Sequence, residues 1–521
     1  MITLSGLEQR RCACGYRDVV VIRCRRQSAL LVAAISAATL CGCGGAGDKT
    51  QAPAPTATQA AADFARAIGQ RVTADRMMVH LAKLQQIADA NGGNRAVGTS
   101  GYDASVDYVA DALRSKGFDV QIPEFELRFP FADPPALTVG ESQIDAKPLE
   151  YTVGTPPEGV TGPLVAAPTD DSPGCTASDY DGMAVAGAVV LVDRGRCPFG
   201  DKQLAAAERG AAALIVADNV DDDQSGATLG EQTHVTIPVV TVSKADGARL
   251  RARTGTATIK MNAGVRVEKA RNVLAQTKTG SPHDVVTVGG HLDSVPAGPG
   301  IDDNGSGVAA VLETALQMGS SPPVHNAVRF AFWGAEEIGL LGSANYVQSL
   351  NADELKNIAL YLNFDMLASP NPAYFTYDGD QSAARDPQQP TPRVPEGSAG
   401  IERTLVAYLK SAGKTAQDMS FDGRSDFDAF TRAGIPTGGL FSGAEAKMTA
   451  EQAALWGGAV DQPYDPNYHQ KTDTLDHINR AALTINGEGA AYAVALYAQD
   501  LGGRNGVPVR DDRTRHTVTK P

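Results

Sequence analysis

The chain has 521 residues, 43% hydrophobic and 20% charged, which is typical of a globular protein with one large and one smaller domain. A formal net charge of −14 argues against a nucleic-acid partner, because the chain lacks the excess of Lys and Arg that neutralises phosphates. After the first fifty residues, no apolar run is long enough to predict a membrane-spanning helix.

The first 43 residues have the features of an export signal. An arginine-rich stretch at 23–26 precedes an apolar stretch at 29–40, which is the usual order in such signals. The apolar stretch ends in a Leu-Cys-Gly-Cys sequence that resembles a bacterial lipobox with Cys43 as the acylated residue. An ordinary signal peptide cut nearby is the alternative. We therefore expect an exported protein, either secreted or held in the bacterial cell envelope, whose only membrane contact is an N-terminal lipid anchor.

Residues 44–61 are rich in Gly, Ala, Pro, Thr and Gln and are predicted to form a disordered linker. From 62 to 117 the apolar spacing indicates helices, the second of which ends at Gly117. Outside the leader the only cysteines are Cys175 and Cys197. In an oxidising compartment we expect them to form a disulfide, with two separate thiols as the alternative.

Residues 148–261 differ in pattern from their surroundings. Short strands are predicted at 164–166, 188–192, 213–217 and 237–242, with one helix at 203–208. The sequence from Leu191 to Phe199 and the buried run that follows resemble the protease-associated domain, a small β-rich insertion in several exopeptidases. No catalytic set of residues occurs in this segment, and the resemblance implies that it shapes the substrate entrance.

From residue 271 onward, predicted strands and helices alternate. The strands are expected at 284–289, 327–333 and 358–364, and the helices at 305–318 and 339–350. Such alternation predicts a mostly parallel sheet with helices on both faces. Ligands of these sheets bind at the carboxyl ends of the strands, so the polar residues at those ends are the candidate site.

Two candidate metal ligands follow the first of these strands. His291 ends the strand, and the nearby Asp293 suits a carboxylate that orients a ligating imidazole. Asp303 lies in a Gly/Asp turn whose simpler interpretation is a cap for the next helix. A phosphate-binding loop is not indicated, because no Lys-Ser/Thr pair follows the glycines. A carboxylate at this turn would be placed to bridge two cations.

Three further candidates complete the ligand set. Glu337 and Asp365 end the next two strands, and His469 lies in a Pro/Asp/Asn loop. Two histidines and three carboxylates without thiolate suit zinc, and five ligands exceed what one tetrahedral ion needs. A bridged pair of zinc ions is therefore predicted. The adjacent Glu336 is free to act as general base.

In combination, the Gly-Gly-His-Leu-Asp-Ser, Gly-Ile-Asp-Asp-Asn-Gly-Ser-Gly, Gly-Ala-Glu-Glu and Tyr-His-Gln motifs resemble those of the secreted co-catalytic di-zinc aminopeptidases, including the aminopeptidase Y type. The resemblance covers about residues 62–503. It implies a three-layer zinc-exopeptidase fold, formed by 62–147 and 262–503, with the inserted protease-associated domain at 148–261 and a C-terminal tail at 504–521.

The resemblance also implies a role for each ligand. His291 and Asp365 would bind one zinc, Glu337 and His469 the other, and Asp303 would bridge them. Asp293 would orient His291, and a cis peptide would follow Asp303. Relatives often flank the Tyr-His-Gln loop with a disulfide, whereas this chain has Asn467 and Thr472 there, so the rigidity of that loop is in question.

Three more residues correspond to functional positions of that family. Tyr468 matches a phenol that stabilises the oxyanion, Arg424 matches a substrate- or product-binding arginine, and Phe441 would line the substrate pocket. Simpler explanations are a packed loop tyrosine, an exposed ion pair and a core phenylalanine. They stay open at this point.

The function expected from these observations is zinc-dependent removal of N-terminal residues from peptides. A water that bridges the two zinc ions would lose its proton to Glu336 and attack the scissile carbonyl. A carboxypeptidase or dipeptidase on the same fold is the main alternative, although Arg424 is the only candidate for a carboxylate-binding cation. A non-catalytic binding protein would have lost ligands, and a glutaminyl cyclase would need no second metal. Side-chain preference and oligomeric state are not indicated.

Overall fold

Two eight-stranded sheets and a two-stranded ribbon contain the strands of the structure, which is a computed structural model. It describes residues 57–220, 227–383, 394–502 and 506–518. The predicted export signal, the acylated Cys43 and most of the predicted linker lie outside the described residues. Among the residues described, no helix has the length and apolar character needed to cross a bilayer.

The helices and strands of these residues are numbered in chain order. The helices are α1 (Ala57–Gly69), α2 (Ala74–Ala90), α3 (Ser100–Ser115), α4 (Phe199–Glu208), α5 (Lys244–Arg251), α6 (Gly307–Met318), α7 (Leu341–Gln348), α8 (Ala352–Asn357), α9 (Ser398–Ser411), α10 (Phe427–Arg432), α11 (Ala450–Trp456) and α12 (Arg480–Gln499). The strands are β1 (Val120–Gln121), β2 (Glu124–Ala132), β3 (Ala136–Val139), β4 (Ser142–Ile144), β5 (Lys147–Pro148), β6 (Val160–Ala166), β7 (Val189–Asp193), β8 (Ala213–Ala217), β9 (Val239–Val242), β10 (Thr256–Lys260), β11 (Ala263–Arg271), β12 (Val273–Gln276), β13 (Ser281–His291), β14 (Asn326–Trp333), β15 (Ile358–Phe364), β16 (Phe375–Tyr377), β17 (Gln417–Met419) and β18 (Thr437–Phe441).

The first sheet has the order β1-β12-β14-β13-β15-β18-β16-β17. Its centre is parallel, because β14, β13, β15 and β18 pair in that sense. Every residue of β15 is buried, as expected for a parallel strand covered on both faces. One face packs against α2, α3, α6 and α12, and the other against α7 and α10. The predicted three-layer α/β fold is therefore confirmed.

The second sheet has the order β4-β3-β10-β6-β7-β8-β9-β5 and carries α4 and α5. The ribbon of β2 and β11 takes the chain to this sheet and back. Cys175 and Cys197 are joined by a disulfide within this part of the molecule. The sheet also includes β3 and β4, which precede residue 148, the predicted start of the inserted domain. The limits 148–261 for that domain stay a prediction.

Three elements differ from the sequence prediction for local physical reasons. The helix expected from residue 305 begins at Gly307, because residues 301–306 form a π-helical turn with two non-helical residues inside. The helix expected at 339–350 is shortened to α7, since Gly339 and Leu340 have positive φ angles of 116° and 60°. At the N-terminus, α1 begins at Ala57, within the predicted linker, because its apolar side packs against α12.

The described part of the C-terminal tail lies against the first sheet. Arg513 is 2% exposed. Its guanidinium donates to the carbonyl oxygens of His283 and Lys356 at 3.0 and 2.8 Å, and it forms an ion pair of 2.6 Å with Asp284. These contacts attach the tail to the start of β13, at the opposite end of that strand from His291.

Candidate metal centre

The predicted metal ligands meet at the carboxyl edge of the first sheet. His291 is the last residue of β13, and Asp365 directly follows β15. Glu337 lies in the loop after β14, and Asp303 lies in the turn between β13 and α6. His469 comes from the loop between α11 and α12, where it has a positive φ of 57°. The order of the strands thus gathers residues that lie far apart in sequence.

The five side chains form two groups that share Asp303. His291 Nε2 lies 3.2 Å from Oδ1 of Asp303 and 3.4 Å from Oδ1 of Asp365. His469 Nε2 lies 3.3 Å from Oδ2 of Asp303 and 3.0 Å from Oε2 of Glu337. In each group the donor atoms lie within 4.8 Å of one another. Each oxygen of Asp303 therefore faces a different histidine. The peptide bond from Asp303 to Asn304 is cis.

The chemistry of these donors fits a pair of cations. Asp365 Oδ1 and Glu337 Oε1 are buried and have no hydrogen-bond partner among the described residues. Burying ionised carboxylates is costly unless a positive charge compensates them. Imidazole nitrogen and carboxylate oxygen are the ligands that zinc binds in catalytic sites. Metal ions would supply the partners that these two buried oxygens lack.

Without metal, the site holds protons in their place. Hydrogen bonds to Asp303 and Glu337 raise the pKa of His469 to about 10. Burial and the negative charge of Asp303 raise the pKa of Glu337 to about 7. Burial disfavours a charge on Asp303, yet the hydrogen bonds that it accepts from His291 and His469 hold its pKa well below the usual value. Metal binding must therefore displace protons.

Glu336 lies beside the two groups without belonging to either. Its Oε2 is 3.9 Å from His291 Nε2, and Glu336 lines a cavity that also borders His291, Asp303 and Asp365. Burial raises its pKa well above the usual value; the positive charge of His291 opposes this effect, and Asp365 adds to it. A buried carboxylate with this affinity for a proton suits a group that accepts and returns protons.

Asp293 lies next to His291, and its contacts extend beyond that residue. Its Oδ1 lies 3.6 Å from His291 Nδ1, which is 3.2 Å from the backbone carbonyl oxygen of Asp293. Its two carboxylate oxygens accept hydrogen bonds from the backbone N–H groups of Glu336 and Glu337, at 3.2 and 3.3 Å. Asp293 therefore holds the loop that carries both glutamates.

Arg95, from the loop between α2 and α3, supports the centre without being one of the predicted site residues. Arg95 is fully buried. Its guanidinium donates to the carbonyl oxygens of Leu292, Pro299 and Gly300, the last two at 2.8 and 2.6 Å. It thus ties together both ends of the loop between His291 and Asp303. A lone arginine gives no sequence signal for such a contact.

Two other supporting residues were also missed. Ser425 donates from Oγ to Oδ2 of Asp365 at 2.7 Å. Asp473 accepts hydrogen bonds from the backbone N–H groups of Asp302 and Asp303, at 2.8 and 3.0 Å. The first orients a ligand and the second fixes the turn that presents the shared carboxylate.

A cavity of about 290 Å³ opens onto the metal centre. Its apolar wall includes Met366, Phe375, Tyr377, Met419, Phe441 and Tyr464. Phe441 is part of this wall, and its role in substrate binding stays a prediction. Tyr468 stacks on His469 with ring centroids 3.8 Å apart. Arg424 lies at the rim, where it pairs with Glu445 at 2.9 Å and lies 3.4 Å from the Tyr468 hydroxyl. The cavity has the size and polarity for an apolar side chain.

A parallel α/β sheet with two histidines, three carboxylates and a further buried glutamate at its carboxyl edge defines a metallohydrolase. Residues 272–494 match peptidase family M28, and residues 160–250 match the PA domain. The chain therefore belongs to peptidase family M28 and carries an inserted PA domain; it is a metallopeptidase of the aminopeptidase type.

Similar proteins agree with this assignment. The probable lipoprotein aminopeptidase LpqL of Mycobacterium tuberculosis is 68% identical over 89% of this chain and 92% of its own length. The probable leucine aminopeptidase 2 of Aspergillus oryzae is 43% identical over 78% of this chain and 81% of its own length. Among solved structures, the aminopeptidase from Aneurinibacillus sp. strain AM-1 has a TM-score of 0.57 and 27% identity, covering 85% of this chain and 98% of that one.

Proposed function

We propose that this chain is a di-zinc aminopeptidase that removes N-terminal residues from peptides, with Glu336 as general base. The observation that carries the proposal is the position of Asp303, whose two oxygens lie 3.2 and 3.3 Å from two different histidines. A carboxylate in that position suits a bridge between two ions. His291 and Asp365 would hold one zinc, and Glu337 and His469 the other. A structure titled a zinc aminopeptidase, from Bacillus subtilis, has 25% identity and a TM-score of 0.50, which supports zinc as the metal.

When bound, zinc ions lower the pKa of water and accept charge from the carbonyl oxygen of the substrate. Glu336 accepts the proton of the attacking water and returns it to the leaving amine. Asp293 keeps Glu336 in place through the backbone of its loop. The Tyr468 hydroxyl, held near Arg424, donates a hydrogen bond to the developing oxyanion.

The charges around the cavity favour the amino end of a peptide. Apart from the proposed zinc ligands and Glu336, Asp418, Asp422 and Glu445 line it, whereas Arg424 is the only Lys or Arg among the described lining residues. Arg424 is also paired with Glu445. A surplus of carboxylates attracts an α-ammonium group and repels an α-carboxylate. This balance favours an aminopeptidase over a carboxypeptidase on the same fold.

Two substrates separate these activities. The zinc-loaded protein is given leucyl anilide and its N-acetylated form, and the released aniline is measured. We expect rapid release from the free amine and little from the blocked compound, because acetylation removes the charge that the carboxylates recognise. Equal cleavage of both compounds would contradict the proposal. A dipeptide and its longer extensions, compared by the release of the free N-terminal amino acid, separate an aminopeptidase from a dipeptidase.

We also propose that the chain is exported and anchored through an acyl group on Cys43. The proposal is supported by the lipobox-like sequence and by the name of the 68% identical relative, a probable lipoprotein. In an expressing bacterium, labelled fatty acid should enter the wild-type protein but not the Cys43→Ala variant, which should appear in the soluble fraction. Equal labelling of both proteins would remove the assignment.

A further inference from the structure

A second group of carboxylates converges near the start of α9, apart from the centre formed by the histidines. Asp378 and Asp380 follow β16, and Glu402 lies in the first turns of α9. One carboxylate oxygen from each of these three residues lies within 4.8 Å of the others. Asp418, on β17, approaches the same group, because its Oδ2 accepts a hydrogen bond of 3.2 Å from Ser382.

The group is largely buried. Asp378 is 7% exposed and Glu402 6%, whereas Asp380 faces solvent. Burial raises the pKa of Glu402 and of Asp418, and the nearby negative charges of Asp378 and Asp380 raise both further. Several carboxylates in so small a volume repel one another unless a cation lies between them.

Thr376 provides an independent indication that something is missing from this group. Its side chain is fully buried, and its hydroxyl has no hydrogen-bond partner among the described residues. Thr376 is paired in register with Asp418 on the neighbouring parallel strand, so the two side chains point to the same face of the sheet. Asp378 follows Thr376 by two residues along the chain. Its backbone N–H donates to the carbonyl oxygen of Met419 and so continues the hydrogen bonding between the two strands. The orphaned hydroxyl therefore lies on the face of the sheet that also carries Asp378 and Asp418.

The hydrogen bonds inside the group leave room for a cation. Asp378 accepts from the N–H groups of Ser382 and Ala383 at 2.8 and 3.3 Å. Asp380 accepts from the N–H of Ser382 at 3.0 Å, and Glu402 from the N–H of Asp380 at 2.9 Å. A carboxylate has about four acceptor positions, so these bonds occupy only part of its capacity. The atoms of the group that could coordinate a metal ion are all oxygens, and the imidazole or thiolate that zinc prefers is not among them. Hard cations with flexible coordination, calcium above all, bind such sets.

We propose that Asp378, Asp380 and Glu402, supplemented by Asp418 and the Thr376 hydroxyl, bind a calcium ion. Its position gives it a consequence for the enzyme. Tyr377 and Met419, the neighbours of Asp378 and Asp418, line the cavity at the metal centre. A calcium ion at this place joins β16, β17 and α9 and stiffens one wall of the substrate pocket.

The test uses the full zinc-loaded protein, so that calcium cannot enter the catalytic centre. Calcium is titrated in a calorimeter up to about 10 mM, which covers weak extracellular sites, and Tm is measured across the same range. We expect one calcium per chain and a Tm that rises with calcium concentration. The variant Glu402→Gln keeps the shape of the side chain and the hydrogen bond from Asp380 but removes a charge. It should bind calcium more weakly than the wild type by a factor of about ten or more.

The matched control is Asp476→Asn, which removes a charge from an exposed residue outside the group and should titrate as the wild type does. Zinc content and circular dichroism verify that each variant is folded. If Glu402→Gln does not fold, Asp380→Asn replaces it, because Asp380 is exposed. No heat and no Tm rise in the wild type would overturn the proposal, as would equal calcium binding by the wild type and the charge-removing variant. Activity on leucyl anilide is read separately, so failure here leaves the aminopeptidase proposal unaffected.

Discussion

The backbone N–H of Glu336 donates a hydrogen bond of 3.2 Å to Oδ1 of Asp293. The next residue, Glu337, donates in the same way to the second oxygen of Asp293, at 3.3 Å. One carboxylate behind His291 thus holds the backbone of the proposed base and of a proposed ligand. Asp293 therefore couples the alignment of Glu336 to that of the metal ligands.

Replacing Asp293 with Asn tests this coupling. An amide offers one acceptor oxygen, and its NH2 group would face a backbone N–H that can only donate, so the glutamate loop should shift. We expect kcat to fall by about 10- to 100-fold, the usual effect of removing a group that orients metal ligands. Asp119→Asn, on the exposed surface, is the control and should keep wild-type activity. An unchanged kcat in Asp293→Asn would show that the loop is held by other contacts.

The two adjacent glutamates should respond differently to the same change. Glu336→Gln removes the proton acceptor but no proposed ligand, so zinc content should stay near normal while kcat falls by about 10²- to 10⁴-fold. Glu337→Gln removes a ligand and should lose zinc as well as activity. Metal analysis and steady-state kinetics on both variants measure the difference. Retained activity in Glu336→Gln would remove its assignment as general base.

The candidate ligands were predictable because the carboxyl ends of parallel strands meet at one edge of a sheet. β13, β14 and β15 were visible in the sequence as apolar runs, and a polar residue follows each of them. His469 lies in a loop with no regular pattern, and only the resemblance to a family identified it. The local chemistry of the chain therefore indicated most of the centre, and the family indicated the rest.

The supporting residues were not predictable for a different reason. Arg95 and Ser425 act through contacts with residues 197 and 60 positions away along the chain, respectively. No local pattern records such contacts. The start of α1 was missed because its composition resembles a linker; burial of Ile68 against the domain, not helix propensity, accounts for its order. Tertiary packing decided these features.

Arg95 offers a test of how the ligand loop is held. Arg95→Lys keeps the charge but loses the planar fork that reaches Pro299 and Gly300. Each buried carbonyl oxygen left without a donor costs about 1–3 kcal/mol, so Tm should fall. Because the loop joins His291 to Asp303, zinc affinity should fall too. Arg480→Lys, at an exposed ion pair with Asp75, is the control. A fall in Tm without a fall in zinc affinity would limit Arg95 to a role in folding.

The protons held by the metal-free centre predict how pH acts on stability. The pKa of Glu337 is raised from 4.5 to about 7, and that of His469 from 6.5 to about 10. Between the unfolded-state and the folded-state pKa of each group, the folded chain binds more protons than the unfolded chain. The free energy of unfolding of the metal-free protein therefore falls as pH rises through these two ranges. Below 4.5 the contribution of both groups is fully present.

Zinc reverses this dependence, because it must displace the same protons in order to bind. Its affinity should therefore rise with pH over the range in which the metal-free protein loses stability. The difference in Tm between the zinc-loaded and the chelated protein should widen from about pH 6 to about pH 9. Calorimetry at matched ionic strength measures it, and proton release during zinc titration in two buffers of different ionisation enthalpy gives an independent count. His469→Ala removes a proposed ligand together with the titrating group, so its zinc-dependent Tm difference should be small at every pH. A Tm difference that is constant with pH would show that zinc binds without displacing protons from these two residues.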